Sequence, residues 1–129
     1  MAIDSTTRKQ LRRFVVTGII AVAVDFGLYY ALNTVIDHNL AKGISFLSGT
    51  IVAYIFNKYW TFETKEFSSS QLLKFFILYG LTLGVNIITN DVALLMFRNL
   101  TFAFLCATGA STILNFLGQK FWVFKKIND

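Results

Sequence analysis

Proline is absent from this chain, and cysteine and histidine occur once each, at Cys106 and His38. Without proline no helix loses a backbone donor to a ring clash, which excludes the proline-broken helices found in many transporters. A single cysteine excludes an intramolecular disulfide, and with one histidine it leaves no metal or redox motif. Charge is also scarce: 15% of the 129 residues are Asp, Glu, Lys or Arg, against 55% hydrophobic. A water-soluble domain of that composition would expose too much apolar surface to stay dispersed. No glycine-rich phosphate loop is present, so ATP is not the expected driver, and no cofactor is implied. No nucleophile–base pair suggests an enzyme, and His38 reads as a solvated residue of an outer turn.

Four segments are nearly free of charge: residues 14–36, 40–62, 72–97 and 101–124. Each is long enough, at about 35 Å as helix, to cross a hydrocarbon core of about 30 Å. Transmembrane strands would need strict alternation over about ten residues, and none is seen. Backbone groups in lipid must be satisfied within the segment, so the spans are helices. The basic start followed by Ala21-Val22-Ala23 resembles a cleavable leader, but cleavage there would leave too short an apolar region and is not expected.

The chain also repeats itself. Shifted by 62 positions, Leu11, Phe14, Gly18, Thr50, Lys58, Trp60 and Phe62 fall on Leu73, Phe76, Gly80, Thr112, Lys120, Trp122 and Phe124. Each copy holds two apolar runs, so the unit of repetition is a membrane hairpin. The expected organisation is a polar N-terminal segment (1–10, frayed), a first hairpin (11–62), a loop (63–71), a second hairpin (72–124) and a tail (125–129). The fold class is all-α integral membrane: four transmembrane helices as two tandem parallel helical hairpins. Ten of the twelve basic residues precede span one, lie at or between spans two and three, or close the chain; only Lys42 and Arg98 fall at the other side. That bias places both termini in the cytoplasm. The net charge of +5 therefore reads as topology and attraction to anionic lipid, not as a nucleic-acid signal.

Polar residues inside the spans are costly. Asp25 is expected near mid-membrane, where an aspartate costs about 2.5–3.5 kcal/mol unless protonated, paired or wetted. Asn86 is expected at the same depth, and Asn115 within about a turn of it. Such residues either glue helices together at about 0.6 kcal/mol each or line a polar path. Helical spacing puts Gly80, Gly84 and Asp91 on one face of span three and Asn86 and Asn90 nearly opposite, so span three is expected to be the most enclosed. Gly80-x-x-x-Gly84 reads as a close-packing surface. Thr50 with Asn57 and Thr112 with Gln119 are equivalent heptad pairs.

The hairpin endings are the clearest duplicates: Asn57-Lys58-Tyr59-Trp60-Thr61-Phe62 and Gln119-Lys120-Phe121-Trp122-Val123-Phe124. Interfacial aromatics with a snorkelling lysine account for each residue type separately. A side-chain amide beside the lysine in both copies suggests instead a pair of phosphate-binding positions, with lysine as point charge and the amide as donor.

Four spans, with a motif like Asn-Phe-x-x-Asn-Arg-x-Trp-x-Phe closing spans two and four, resemble the GtrA-like family over residues 11–124. Copy one matches from Asn57 onward with Lys for Arg, and departs at Ala53-Tyr54. Copy two matches at Asn115-Phe116 and from Gln119, with Gln for Asn. Phe14-x-x-x-Gly18 and Phe76-x-x-x-Gly80 fit as well. The resemblance implies a bacterial cytoplasmic-membrane protein that flips a polyprenyl-phosphate-linked sugar to the outer leaflet for polysaccharide or teichoic-acid glycosylation. On that reading Lys58, Lys120, Asn57 and Gln119 hold the lipid phosphate. Asp25, Asn86 and Asn115 receive sugar hydroxyls, and Trp60 and Trp122 set the headgroup level or stack on the sugar. Two alternatives stand beside it. One is a non-catalytic membrane partner of a polyprenyl-phosphate glycosyltransferase, acting through residues 63–71. The other is a small proton-coupled exporter with Asp25 as proton site. Four spans enclose little volume, which points to a homo-oligomer.

Overall fold

The computed structural model describes residues 4–66 and 68–125. The first three residues of the expected N-terminal segment, Phe67 of the loop, and the tail from Lys126 onward lie outside the described residues. Four long helices follow in order: α1 (Ser5–Leu32), α2 (His38–Phe56), α3 (Ser69–Phe97) and α4 (Leu100–Gly118). A π-helical turn extends α2 over Asn57–Thr61, and another extends α4 over Gln119–Val123. All four helices are long and apolar enough to span a membrane. α1 packs on α2 and α3 on α4, giving two compact hairpins divided between Lys65 and Glu66.

The helix boundaries follow from local chemistry. Asp4 caps α1 by accepting from the Thr7 amide at 2.7 Å, so residues 5–10 are helical rather than frayed. α1 ends four residues earlier than its apolar run, at Leu32. There Thr34 donates its hydroxyl to the Ala31 carbonyl, and the Val35 and Ile36 amides both return to Leu32. Asp37 then starts α2 by accepting from the Asn39 and Leu40 amides. Ser68 caps α3, and Asn99 caps α4 after a left-handed turn at Arg98, φ 50°.

In each hairpin the two helices meet along a ridge of small residues at spacing four. In α2 the ridge is Ala41, Ser45, Gly49 and Ala53, all buried. A shift of 62 gives Ala103, Ala107, Ser111 and Asn115 in α4, of which the two alanines are buried and the other two half-buried. Small residues at i, i+4 let helix backbones approach closely in lipid. Gly49 is the tightest point, because a Cβ there would sit 2.8 Å from the Ala21 carbonyl oxygen.

Two expectations about packing are therefore corrected. Gly80 and Gly84 make no close approach within their hairpin: a Cβ on either meets nothing within 4 Å. Within its own hairpin span three is not the more enclosed kind of helix: span two has 33% of its most apolar stretch buried and span three 17%. The physical reason is shared. The α2 ridge contains one glycine among four small residues, so it carries no glycine-pair signature while offering a longer flat surface.

Candidate functional site

The π-helical turns sit on the two copies of the closing motif, in register. Each starts at the amide residue, where the Phe62 amide donates to the Asn57 carbonyl at 2.9 Å and the Phe124 amide to the Gln119 carbonyl at 2.8 Å. Both are i→i+5 bonds, a winding rare in proteins and frequent at functional sites. In both turns the lysine ammonium lies beside the next aromatic ring: Lys58 is 5.3 Å from the Tyr59 centroid and Lys120 is 5.5 Å from that of Phe121. In both hairpins a basic residue of the first helix covers the motif tryptophan. Arg13 lies 5.1 Å from the Trp60 ring, and Lys74 lies 5.7 Å from the Trp122 ring.

Around that shared backbone the side chains differ. The first turn is polar inside. Thr17 and Thr61, both buried, bring their hydroxyls to 3.4 Å, and Thr61 donates to the Asn57 side-chain oxygen at 2.9 Å. Lys58 is fully enclosed, so it does not snorkel to water. Its carbonyl accepts from both the amide and the hydroxyl of Thr64, fixing the chain as it leaves the turn. The second turn is lined mainly by aromatic and aliphatic side chains around Gln119. Phe75 stacks on Tyr79 at 4.6 Å and lies near Phe124, while Val123 replaces Thr61. Gln119 is buried, and Lys120 is half-buried and the more accessible of the two lysines. Trp60 and Trp122 keep large exposed faces.

The mid-span candidates also divide by hairpin. Asp25 is bound to Lys42, with Nζ at 3.4 and 3.5 Å from its two oxygens, so the aspartate near the Gly49 contact is a paired acid. Lys42 lies 5.5 Å from the Tyr29 ring, and the Tyr29 hydroxyl is 2.8 Å from His38 Nδ1, which ties His38 into the helix pair. In the second hairpin Asn86 donates to the Ser111 hydroxyl at 3.0 Å, and Asn115 accepts from Thr82 at 2.9 Å. These bonds supply the interhelical glue role for both asparagines. Thr50 donates to the Phe46 carbonyl and is buried, whereas Thr112 is exposed, so the heptad pairs are not equivalent.

Lys42, Arg13, Lys74 and Glu63 join these clusters, although along the sequence they read only as markers of topology or loop. For Lys42 the sequence does hold a usable signal: an acid and a base on consecutive spans, on either side of one short turn.

With four apolar spans in two hairpins, the chain is a multi-pass membrane protein. It belongs to the GtrA/DPMS transmembrane-domain family, which it matches over residues 13–124. It is similar to the uncharacterized membrane protein YngA of Bacillus subtilis (strain 168), at 28% identity over 133 residues, covering 94% of this chain and 86% of that protein. It is also similar to the uncharacterized membrane protein YwcD of the same organism, at 25% identity over 123 residues, covering 90% and 97%.

Proposed function

We propose that the protein moves a polyprenyl-phosphate-linked sugar from the inner to the outer leaflet of a bacterial cytoplasmic membrane, without making or breaking bonds in it. The observation that carries this reading is the duplicated closing turn. An amide, a lysine and a tryptophan recur in the same unusual π-helical winding, with a further cation laid on each tryptophan. Repetition of side chains alone fits interfacial anchoring. Repetition of a rare backbone geometry argues for a site, because π-turns replace better-packed α-helical bonds and persist where function retains them. The bias of basic residues supports a cytoplasmic placement of both turns and both termini. Phosphate would be met by ammonium groups there, while Asp25, Asn86 and Asn115 would exchange their bonds to Lys42, Ser111 and Thr82 for sugar hydroxyls that are costly to strand in hydrocarbon. Because Lys58 is enclosed, Lys120 would make the first contact. A homo-oligomer would supply the volume that four helices lack, and consumption of the lipid by an outer-face glycosyltransferase would give direction.

The test is reconstitution into proteoliposomes with a defined polyprenyl-phosphate sugar. Wild-type protein should scramble the lipid, and a Lys58→Ala/Lys120→Ala double variant that remains helical and monodisperse should not. Undiminished scrambling by that folded variant would remove the phosphate argument. Scrambling that arises only after co-reconstitution with a polyprenyl-phosphate glycosyltransferase would replace transport with a partner role.

A further inference from the structure

Residues 5–13 of α1 precede its apolar run and carry Arg8, Lys9, Arg12 and Arg13. Lys9 and Arg13 are engaged within the hairpin. The Glu63 carboxylate takes them at 3.5 and 3.6 Å, and Arg13 also donates to the Trp60 carbonyl at 2.7 Å. Arg8 and Arg12, with Ser5, line an open cleft of about 300 Å³ instead. None of these three side chains has a hydrogen bond or ion pair among the described residues. Asp4, beside them in the chain, turns its carboxylate to the Thr7 amide at 2.7 Å. Spacings of three and four put the cleft on the face of α1 opposite the buried Gln10 and Thr17. Further along that face come Val15, Ile19, Val22 and Phe26, all exposed. From Arg12 to Phe26 this apolar track runs about 21 Å, more than the about 15 Å of one hydrocarbon leaflet. The second copy has Ser70 and Lys74 at the places of Arg8 and Arg12, and Lys74 lies over Trp122, so the arginine pair belongs to the first hairpin alone.

We infer that Ser5, Arg8 and Arg12 hold the phosphate diester of one anionic phospholipid of the adjoining leaflet, with an acyl chain along the apolar track beneath. Guanidinium groups offer phosphate oxygens paired donors, and the Ser5 hydroxyl adds another. Two cations with no acid laid on them favour an anionic headgroup over a zwitterionic one. The cleft is at the lower end of ligand sites, about 300–1,000 Å³, which suits a headgroup. The cations end where the apolar run begins, so phosphate and acyl chain each meet the depth they prefer. This lipid is retained rather than moved. The inference therefore goes beyond transport and stands whether or not the protein scrambles lipid-linked sugars.

The experiment uses the full chain in a mild neutral detergent with equal amounts of phosphatidylglycerol and phosphatidylcholine of the same acyl chains. Native mass spectrometry counts the lipid that stays bound. Wild type should retain one phosphatidylglycerol, preferred over phosphatidylcholine by roughly tenfold, as expected for charge-assisted contacts. Arg8→Gln/Arg12→Gln should remove that preference. Arg8→Gln alone, outside the apolar run, reads part of the same loss should the double variant fail to insert. Lys9→Gln/Lys65→Gln removes the same charge from the same hairpin and should keep the preference. Equal retention of the two lipids by wild type, or a preference indifferent to Arg8 and Arg12, would overturn the inference. An equal loss in the Lys9/Lys65 variant would overturn it too, by reducing the effect to diffuse charge. A separate arm adds millimolar inorganic phosphate. Displacement of the lipid would assign the cleft to the phosphate group itself, and resistance would assign it to the whole lipid; either outcome, with dependence on Arg8 and Arg12, supports the site.

Discussion

Replacing Gly49 by alanine tests whether the ridge of α2 holds the first hairpin together. A Cβ at this position would stand 2.8 Å from the Ala21 carbonyl oxygen and 3.2 Å from the Asp25 Cβ. The first partner is backbone, which cannot swing aside, so the helices must separate by several tenths of an ångström. Overpacking of this kind costs about 1–3 kcal/mol. Alanine also gains up to about 1 kcal/mol over glycine in helix propensity, which partly hides the cost. Gly43 removes that ambiguity. It lies in the same helix, and a Cβ added there meets nothing within 4 Å, so Gly43→Ala carries the propensity gain alone. The difference between the two variants isolates the overpacking, and Gly49→Ala should be less stable than Gly43→Ala by about 1–3 kcal/mol. Reversible unfolding in mixed micelles, followed by far-ultraviolet circular dichroism, measures this directly. Equal stabilities, or a more stable Gly49→Ala, would refute the close approach. Gly118 supplies an internal scale: an added Cβ there meets only the flexible end of Leu78, at 2.5 Å from Cδ1, so its alanine variant should fall between the other two.

Lys42→Met should destabilise the first hairpin more than Asp25→Asn/Lys42→Met does, by about 1–2 kcal/mol in the same assay, because it leaves the carboxylate unpaired among apolar neighbours. Equal losses would mean that the pair is not formed. Thr82→Val should cost about 0.6 kcal/mol through its bond to Asn115, and the effect should vanish in an Asn115→Ala background, as a double-mutant cycle would read.

Much of the architecture was legible along the chain because lipid imposes simple rules. Four apolar helices in two hairpins followed from apolar run length and a gapless repeat. The closing motifs were legible as well, since Lys58 and Lys120 recur with their tryptophans at one spacing. Their winding was not, because a π-turn differs from an α-turn by a single bond shift that no residue type demands. Nor was the enclosure of Lys58, for snorkelling and burial are equally open to a lysine at a span end until neighbouring side chains are in place.

The tertiary structure alone decided which partner each polar group takes. Asp25 chose Lys42, Asn86 chose Ser111 and Glu63 chose Lys9 with Arg13, partners 17, 25 and about 50 residues away in the chain. Sequence sets how deep a residue lies in a span, through the constant rise of a helix. It does not set how two helices rotate and approach, which depends on the summed fit of a whole ridge such as Ala41, Ser45, Gly49 and Ala53, and that fit selects the pairs.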